Sequence, residues 1–281
     1  QKRHLGVKFD TSVFTNLEKE HLEAHGSFEK YYGEKQKLFK RTKNIHVLNA
    51  DSPHVDLFSK FSAKKKVFYS LQDGFGFKTS LVGDFNKSNI LAAAAVAMEY
   101  GVSRETIQKA LDKIKNIPGR MEFINAGQFQ VVVDYAHTPG SLEAVYKKLR
   151  EQLGSPPSNK LICVLGAAGG GRDKWKRPVF GKLADKYCDK IILTDEDPYD
   201  ENPEGIVKDV KSGIKNQTKS EIVMDRREAI KKALTSAGKG DIVVMTGKGS
   251  ETSIAVQGGK RIPWSDKEVV LEVLESMEQL P

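Results

Sequence analysis

The chain has 281 residues, of which 39% are hydrophobic and 29% charged, and its 45 basic and 37 acidic residues give a formal net charge of +8. Its length suits two domains, and no apolar run approaches the roughly 20 residues that a membrane-spanning helix needs. The lysines are scattered and accompany no RNP, zinc-finger or helix-turn-helix pattern, so the positive charge favours anionic small molecules such as nucleotides over nucleic acid.

The cysteines and the first residue bear on where the protein works. Cys163 and Cys188 lie far apart in apolar segments without a CxxC spacing. We therefore expect neither a disulfide framework nor a zinc site, and a reducing cytoplasm as the location. The sequence begins at Gln1 without a methionine or the pattern of a signal peptide, so we expect an N-terminally truncated chain.

The first part of the chain mixes short strands with helices. Apolar spacing predicts a strand over residues 10–17, a helix over residues 18–40, and strands over residues 45–48 and 67–71. An alanine-rich helix is predicted over residues 83–98, and its small side chains require close packing. A further helix should begin after Ser103, a suitable N-cap, and end at Pro118 and Gly119.

From about residue 121 strands and helices alternate. The predicted strands are 131–135, 161–166, 190–195, 221–224 and 241–247, with helices beginning near residues 141, 177, 204 and 226. Apolar strands that alternate with amphipathic helices predict a parallel sheet covered on both faces. Binding groups should then gather in the loops at the carboxyl ends of the strands.

Two histidines stand out in the first part of the chain. His21 and His25 are four residues apart in a segment rich in glutamate, so on a helix they would share a face. An ordinary charged surface helix would look the same.

Two loops are rich in glycine. The segment GAAGGGRDK at residue 166 follows a strand but lacks the ending of a P-loop, although Arg172 within it could anchor a carboxylate. The segment TGKGSET at residue 246 contains GKGS without the full phosphate-binding motif. Either loop could be a binding site or a plain turn between a strand and a helix.

A third loop is strongly acidic. Its carboxylates repel one another unless solvent screens them or a cation binds, so it is either a solvated loop or a pocket for a metal ion or an ammonium group. The five residues are Asp195, Glu196, Asp197, Asp200 and Glu201.

Seven short motifs stand in one order along the chain: QKR at residue 1, FTNLEKEHLEAHG at 14, GDFNKSN at 83, PGRME at 118, VDYAHTP at 133, GRDKWKRP at 171 and GKGSE at 247. In this order the sequence resembles the Mur ligases, most closely their MurE type. The resemblance implies an ATP-dependent amide ligase of peptidoglycan synthesis. ATP would convert a carboxylate of a UDP-N-acetylmuramoyl dipeptide to an acyl phosphate, and the amine of an amino acid would then displace phosphate.

The resemblance also implies roles for residues in the first part of the chain. Lys35 corresponds to a lysine that is carbamylated and then binds Mg²⁺, and His21 corresponds to a histidine at the same metal. Gln1 and Arg3 correspond to the end of the stretch that holds the UDP-linked substrate.

Four residues correspond to positions at the nucleotide. Asn89 matches an asparagine at the adenine, Arg120 an arginine that contacts ATP, and Asp134 an aspartate that binds the ribose. His137 is expected near the phosphates.

The resemblance implies a pocket for the incoming amino acid, in which Arg172 binds the carboxylate and Glu251 the distal amine. MurE-type enzymes for diaminopimelate carry the motif DNPR, but Tyr199 stands here at the arginine position. We therefore expect a cationic substrate such as lysine or ornithine. The predicted pocket consists of Arg172, Glu196, Asp197, Tyr199, Gly247 and Glu251.

The predicted fold is α/β. Residues 1–120 would be the distal part of a central P-loop-type ATPase domain, and residues 121–281 a Rossmann-like C-terminal domain with a mostly parallel sheet. We expect a monomer that binds small molecules and neither nucleic acid nor membrane. The family's P-loop would lie before Gln1, so the chain alone should be inactive. Folylpolyglutamate-type or cyanophycin-type ligases, or an inactive Mur-like binding module, are alternatives.

Overall fold

A computed structural model of the chain describes residues 6–153, 159–171 and 173–279. The chain divides into two compact units, Gln1–Lys115 and Asn116–Pro281. Both have α/β architecture with mostly parallel sheets, as predicted. The division falls before the predicted boundary at residue 120, because the turn at Gly119 packs against residues 249 and 250 of the second unit.

The first unit is built on three parallel strands in the order β1-β2-β3. They are β1 (Thr11–Phe14), β2 (Ile45–Asn49) and β3 (Lys65–Tyr69). The described residues of this unit also form the helices α1 (Leu22–His25), α2 (Phe28–Arg41), α3 (Asp56–Ser59), α4 (Asp84–Glu99) and α5 (Arg104–Leu111).

The helix predicted over residues 18–40 was wrong as a single element. Gly26 has a φ of 78° and ends α1, and the side chain of Ser27 then accepts a hydrogen bond from the amide of Lys30 at 3.2 Å to cap α2. Ser103 caps α5 as predicted, accepting from the amide of Thr106. The helix ends at Leu111, well before the predicted stop.

The second unit contains a six-stranded sheet in the order β4-β5-β9-β6-β7-β8, in which only β4 runs antiparallel to its neighbour. Its strands are β4 (Glu122–Asn125), β5 (Gln130–Val133), β6 (Leu161–Leu165), β7 (Lys190–Leu193), β8 (Ser220–Ile222) and β9 (Ile242–Met245). A separate hairpin pairs β10 (Ser253–Ala255) with β11 (Arg261–Pro263).

Helices lie on both faces of this sheet, as its apolar strands predicted. One buried cluster joins α9 and α10 to alternate residues of the strands, such as Val131 and Val133. The intervening residues point to the opposite face, where Tyr146 of α6 reaches Cys163 of β6. The five helices are α6 (Pro139–Leu153), α7 (Lys176–Tyr187), α8 (Pro203–Lys211), α9 (Arg226–Thr235) and α10 (Asp266–Glu278).

Sequence patterns missed the antiparallel strand β4, the hairpin of β10 and β11, and α10. Among the helices that the described residues form, none is long and apolar enough to cross a membrane.

Candidate functional site

The main candidate site lies in the second unit, at the carboxyl edge of the six-stranded sheet. Four neighbouring parallel strands end at this edge, in the order β5, β9, β6 and β7, and a loop follows each of them. The loops pack closely: a Cβ atom on Gly247, whose φ is +101°, would lie 2.1 Å from the side-chain oxygen Oε2 of Glu196 in the loop after β7. The structure thus brings the predicted acidic and glycine-rich loops together.

Lys248, in the loop after β9, is the centre of this edge. Its side chain is fully buried, and its ammonium donates hydrogen bonds to both carboxylate oxygens of Asp197, at 2.9 and 3.0 Å, and to Oε2 of Glu251 at 2.6 Å. An ammonium has three protons to donate, so these contacts use its full capacity. A lysine that is buried and paired in this way is not a free phosphate ligand, despite its GKGS context.

Glu251 is the only one of these three side chains with substantial exposure, at 39%. Its second carboxylate oxygen, Oε1, accepts a hydrogen bond from the hydroxyl of Tyr135 at 3.1 Å. Burial, and then the charge of Glu251, raise the pKa of Tyr135, which keeps its hydroxyl protonated as the donor. The carboxylate of Glu251 is therefore held on both oxygens.

The nucleotide-binding candidates Arg120 and His137 pack on the same tyrosine. The guanidinium carbon of Arg120 lies 4.2 Å from the ring centroid of Tyr135, within the range of a cation–π contact. The ring of His137 lies 4.5 Å from it, and Nδ1 of His137 is 2.8 Å from the carbonyl oxygen of Tyr135. Arg120 and His137 are both exposed to solvent.

Asp134 fastens the turn that carries Arg120. Its carboxylate is 5% exposed and accepts hydrogen bonds from the amides of Met121 and Ala136, both at 2.7 Å. Burial raises the pKa of Asp134, although the two amides and nearby Arg120 oppose this shift. Each carboxylate oxygen of Asp134 has a further lone pair, which could accept a hydrogen bond from a ribose hydroxyl. That contact stays a prediction.

Glu196 differs from its acidic neighbours. It is 5% exposed, and no described residue donates a hydrogen bond to its carboxylate. Burial raises the pKa of Glu196 to about 7, while Arg226 opposes the rise and Asp197 reinforces it. Near neutral pH this side chain therefore exchanges between a neutral and an ionised form, as acid–base residues and ligand-binding carboxylates do.

The other carboxylates of the acidic loop are held by protein groups. Asp200 accepts from the amide of Gly258 at 2.8 Å, and Glu201 accepts from the guanidinium of Arg177 at 2.8 Å. With Asp197 paired to Lys248, the surplus of acid seen in the sequence is largely compensated within the fold.

Sequence reasoning missed Lys248 and Tyr135. The available signal was a lysine directly after the apolar strand β9, at the same edge as a loop with five carboxylates. A lysine in such a position is rarely buried without a carboxylate partner.

The predicted metal ligands, His21 and Lys35, lie in the first unit near Tyr31 of α2, and His25 lies beside the same ring. The ring centroids of His21 and His25 are 6.0 and 5.4 Å from that of Tyr31, and Nζ of Lys35 lies 5.0 Å from it. Among the described residues, no three His, Cys, Asp or Glu side chains form a group that could hold a metal ion. An unmodified Lys35 would repel Mg²⁺, so these residues as they stand do not fit a protein-held metal.

Two of the remaining predicted site residues, Asn89 and Tyr199, belong to the described part of the chain. Asn89 is exposed on α4. Tyr199 has a φ of 52°, and its amide donates to the carbonyl of Ala255 at 3.1 Å. Gln1, Arg3 and Arg172 lie outside the described residues.

Comparison with known proteins gives the family. A family profile described as the Mur ligase middle domain matches residues 1–75, and one described as the Mur ligase glutamate ligase domain matches residues 119–249.

Individual relatives and a solved structure agree with these profiles. The UDP-N-acetylmuramoyl-L-alanyl-D-glutamate–2,6-diaminopimelate ligase of Aquifex aeolicus is 38% identical over 98% of this chain and 60% of its own length. The corresponding ligase 1 of Clostridium acetobutylicum is 36% identical over 98% of this chain and 61% of its own length. A solved structure of such a diaminopimelate ligase is 31% identical, with a TM-score of 0.57, and the match covers 99% of this chain and 62% of that one.

The chain spans about 60% of the length of the curated relatives that it matches. Two profiles of one family match its two parts in order, and its relatives carry that family's names. The chain belongs to the Mur ligase family.

Proposed function

We propose that the protein carrying this chain is an ATP-dependent ligase that adds a diamino acid to a UDP-N-acetylmuramoyl dipeptide during peptidoglycan synthesis. The main structural support is that Glu251, a candidate for the distal amine of the amino acid, shares Tyr135 with Arg120, a candidate for ATP. Relatives of the same family with 36% and 38% identity are named as diaminopimelate ligases.

The proposed reaction has two steps. A carboxylate oxygen of the dipeptide attacks the γ-phosphorus of ATP, which forms an acyl phosphate and releases ADP. The neutral amine of the amino acid then attacks the acyl carbon, and the tetrahedral intermediate collapses to the amide with loss of phosphate and a proton. An amine attacks only in its unprotonated form, so the attacking amine must lose a proton before the amide bond forms.

Roles of single residues in this reaction are proposals. Asn89, Arg120, Asp134 and His137 would bind ATP, and Gln1 and Arg3 would contact the UDP-linked substrate. The amino acid would be held by Arg172, Glu196, Tyr199, Gly247 and Glu251, and Asp197 would contribute through its ion pair with Lys248.

We propose Mg²⁺ as the cofactor that acts with ATP, with His21 and a carbamylated Lys35 as its candidate protein ligands. The carbamate would replace a repelling ammonium with an oxygen ligand, which is the type of ligand that Mg²⁺ prefers. His21 and Lys35 both approach Tyr31, which supports placing them at one site. A cytoplasmic location and a monomeric state stay predictions. ATP as a substrate and two buried thiols are in keeping with the reducing compartment.

The choice of the amino acid that the ligase would add is a separate part of the proposal. The relatives are named for diaminopimelate, which carries a second carboxylate, whereas Tyr199 replaces the arginine expected for such a substrate. Because an unpaired buried carboxylate is costly, this replacement favours lysine or ornithine.

The test is amino-acid-dependent phosphate release by the complete protein that carries this sequence. With ATP, Mg²⁺ and the UDP-linked dipeptide present, we expect release only when a diamino acid is added, and a higher kcat/KM for lysine or ornithine than for diaminopimelate. The Arg120→Ala variant should lower kcat/KM for ATP about tenfold or more. Arg227→Ala, which removes an exposed arginine paired with Glu272, is the control.

Three outcomes would change the proposal. Preference for diaminopimelate would refute the cationic substrate but keep the ligase. Turnover with a folate and glutamate in place of the dipeptide would indicate the folylpolyglutamate type. ATP binding without any turnover would indicate an inactive binding module.

A further inference from the structure

The contacts of Glu251 show a carboxylate whose position is fixed by its neighbours. Lys248 holds Oε2 at 2.6 Å, and the hydroxyl of Tyr135 holds Oε1 at 3.1 Å. A free glutamate side chain on a surface loop samples several rotamers, and fixing it costs conformational entropy. In this fold the side chains of Lys248 and Tyr135 supply that ordering.

Three charged side chains meet in this group, and Asp197 is the counter-ion of Lys248. Asp197 offers both oxygens to Lys248 and also accepts from the amide of Ala255 at 2.7 Å, so it is fixed independently of Glu251. Asp197 and Lys248 together carry no net charge. Without Asp197, the ammonium of Lys248 would cancel the charge of Glu251 and weaken its attraction for a cationic ligand.

We propose that Lys248 and Tyr135 are positioning residues, which clamp the Glu251 carboxylate in the orientation that receives the substrate ammonium, with Asp197 as the counter-ion of Lys248. This inference rests on the proposed function and deepens it. Asp197 then acts through Lys248 and does not touch the amino acid. The lysine of the GKGS segment thereby takes a role in amine recognition that its sequence context does not suggest.

The arrangement has a consequence for the two substrates. Tyr135 contacts Glu251 through its hydroxyl and Arg120 through its ring, at 4.2 Å from the guanidinium carbon. Removing the hydroxyl alone releases Oε1 of Glu251 but leaves the ring for Arg120. Tyr135→Phe should therefore affect the amino acid and spare ATP.

The decisive experiment measures steady-state phosphate release by the complete protein and its variants. The varied amino acid is lysine, ornithine or diaminopimelate, whichever the unsubstituted protein uses with the highest kcat/KM. The paired substitution Lys248→Met with Asp197→Asn removes both buried charges with little change in volume, and leaves the net charge unchanged. We expect this pair to raise the KM for the amino acid about tenfold or more, with the KM for ATP changed less than about twofold. Tyr135→Phe should raise the amino-acid KM in the same direction.

Glu251→Gln provides the test of mechanism. If Lys248 acts through Glu251, adding the paired substitution to Glu251→Gln should change the amino-acid KM by less than about twofold, because residues that act as one unit are not additive. A purely structural role would give effects that multiply, and would raise both KM values together with a lowered melting temperature.

Each result has one meaning. Amino-acid KM values that stay unchanged in Tyr135→Phe and in a folded paired variant overturn the clamp, as do effects that multiply with Glu251→Gln. If the paired variant does not fold, Tyr135→Phe and its combination with Glu251→Gln decide by the same criteria. If the unsubstituted protein shows no amino-acid-dependent release, it is the proposed function that fails, and this is seen before any variant is compared.

Discussion

At the residue scale, the second unit uses burial to separate carboxylates that look alike in sequence. Asp195, Glu196 and Asp197 are consecutive, yet Asp197 is paired with Lys248 while Glu196 is buried without a hydrogen-bond donor from the described residues. Desolvation disfavours the ionised form of a carboxylate, whereas an adjacent cation favours it. Two neighbouring carboxylates of one loop therefore lie in different surroundings, one paired with a cation and the other buried without one.

The raised pKa of Glu196 predicts a pH-dependent stability. Its folded-state value of about 7 lies above its ordinary value of 4.5. Below about pH 4.5 the group is protonated in both states and costs nothing. Between about pH 4.5 and 7 only the unfolded state releases the proton, so the stability of the fold falls across this range and levels off above it. Glu196→Gln should therefore gain about 3 kcal/mol in free energy of unfolding, relative to the unsubstituted chain, between about pH 4 and pH 8.

Urea unfolding of the chain at several pH values measures this difference. Glu228→Gln, which changes an exposed glutamate in the first turn of α9, is the matched control and should show no such trend. A Glu196→Gln effect that is the same at both ends of the pH range would contradict the assignment of the raised pKa.

At the element scale, the site depends on turns that touch through their backbones. The turn before β4 lies against the loop after β9: a Cβ atom on Gly119 would lie 2.1 Å from the amide nitrogen of Ser250. Asp134 holds the same turn from the loop after β5. The turn of Arg120 is thus held by two other segments, the loop after β9 and the loop after β5.

This close approach predicts an unequal cost for two similar substitutions. Gly119 and Gly127 both have a positive φ, at +63° and +73°, but nothing lies within 4 Å of a Cβ at Gly127. Gly127→Ala should cost about 1 kcal/mol from backbone strain alone, and Gly119→Ala about 1–3 kcal/mol more, because the turn must move away from the loop. Urea denaturation of the two variants tests this, and equal costs would argue against the backbone contact.

At the scale of the whole molecule, the chain holds two units with separate cores. The buried cluster around α9 and α10 draws only on the second unit, and three further clusters draw only on the first. A unit that contains its own core and sheet is expected to fold by itself.

Residues 116–281 produced alone should therefore unfold cooperatively. Both tryptophans, Trp175 and Trp264, lie in this unit, so tryptophan fluorescence reports on it alone in the complete chain as well. We expect urea transitions of the fragment and the chain at nearly the same midpoint. A fragment without a cooperative transition would mean that residues before 116 contribute to its stability.

Local patterns determined most of the architecture. Runs such as IVVM at β9 and the alternating helices predicted a parallel sheet covered on both faces, and thereby the edge where the binding loops gather. These features follow from hydrophobic periodicity, which is a property of neighbouring residues. The family resemblance rests likewise on the order of short motifs along the chain.

Only the tertiary structure decided which loops became neighbours and which charges were paired. Strand order places β9 between β5 and β6, and this brings Lys248 to Asp197 and Tyr135 to Glu251. The antiparallel strand β4 and the break at Gly26 also depend on contacts or dihedral choices that periodicity does not encode. Long-range strand pairing and burial fix these features, because the free energy of a charged side chain depends on what surrounds it in space rather than in sequence.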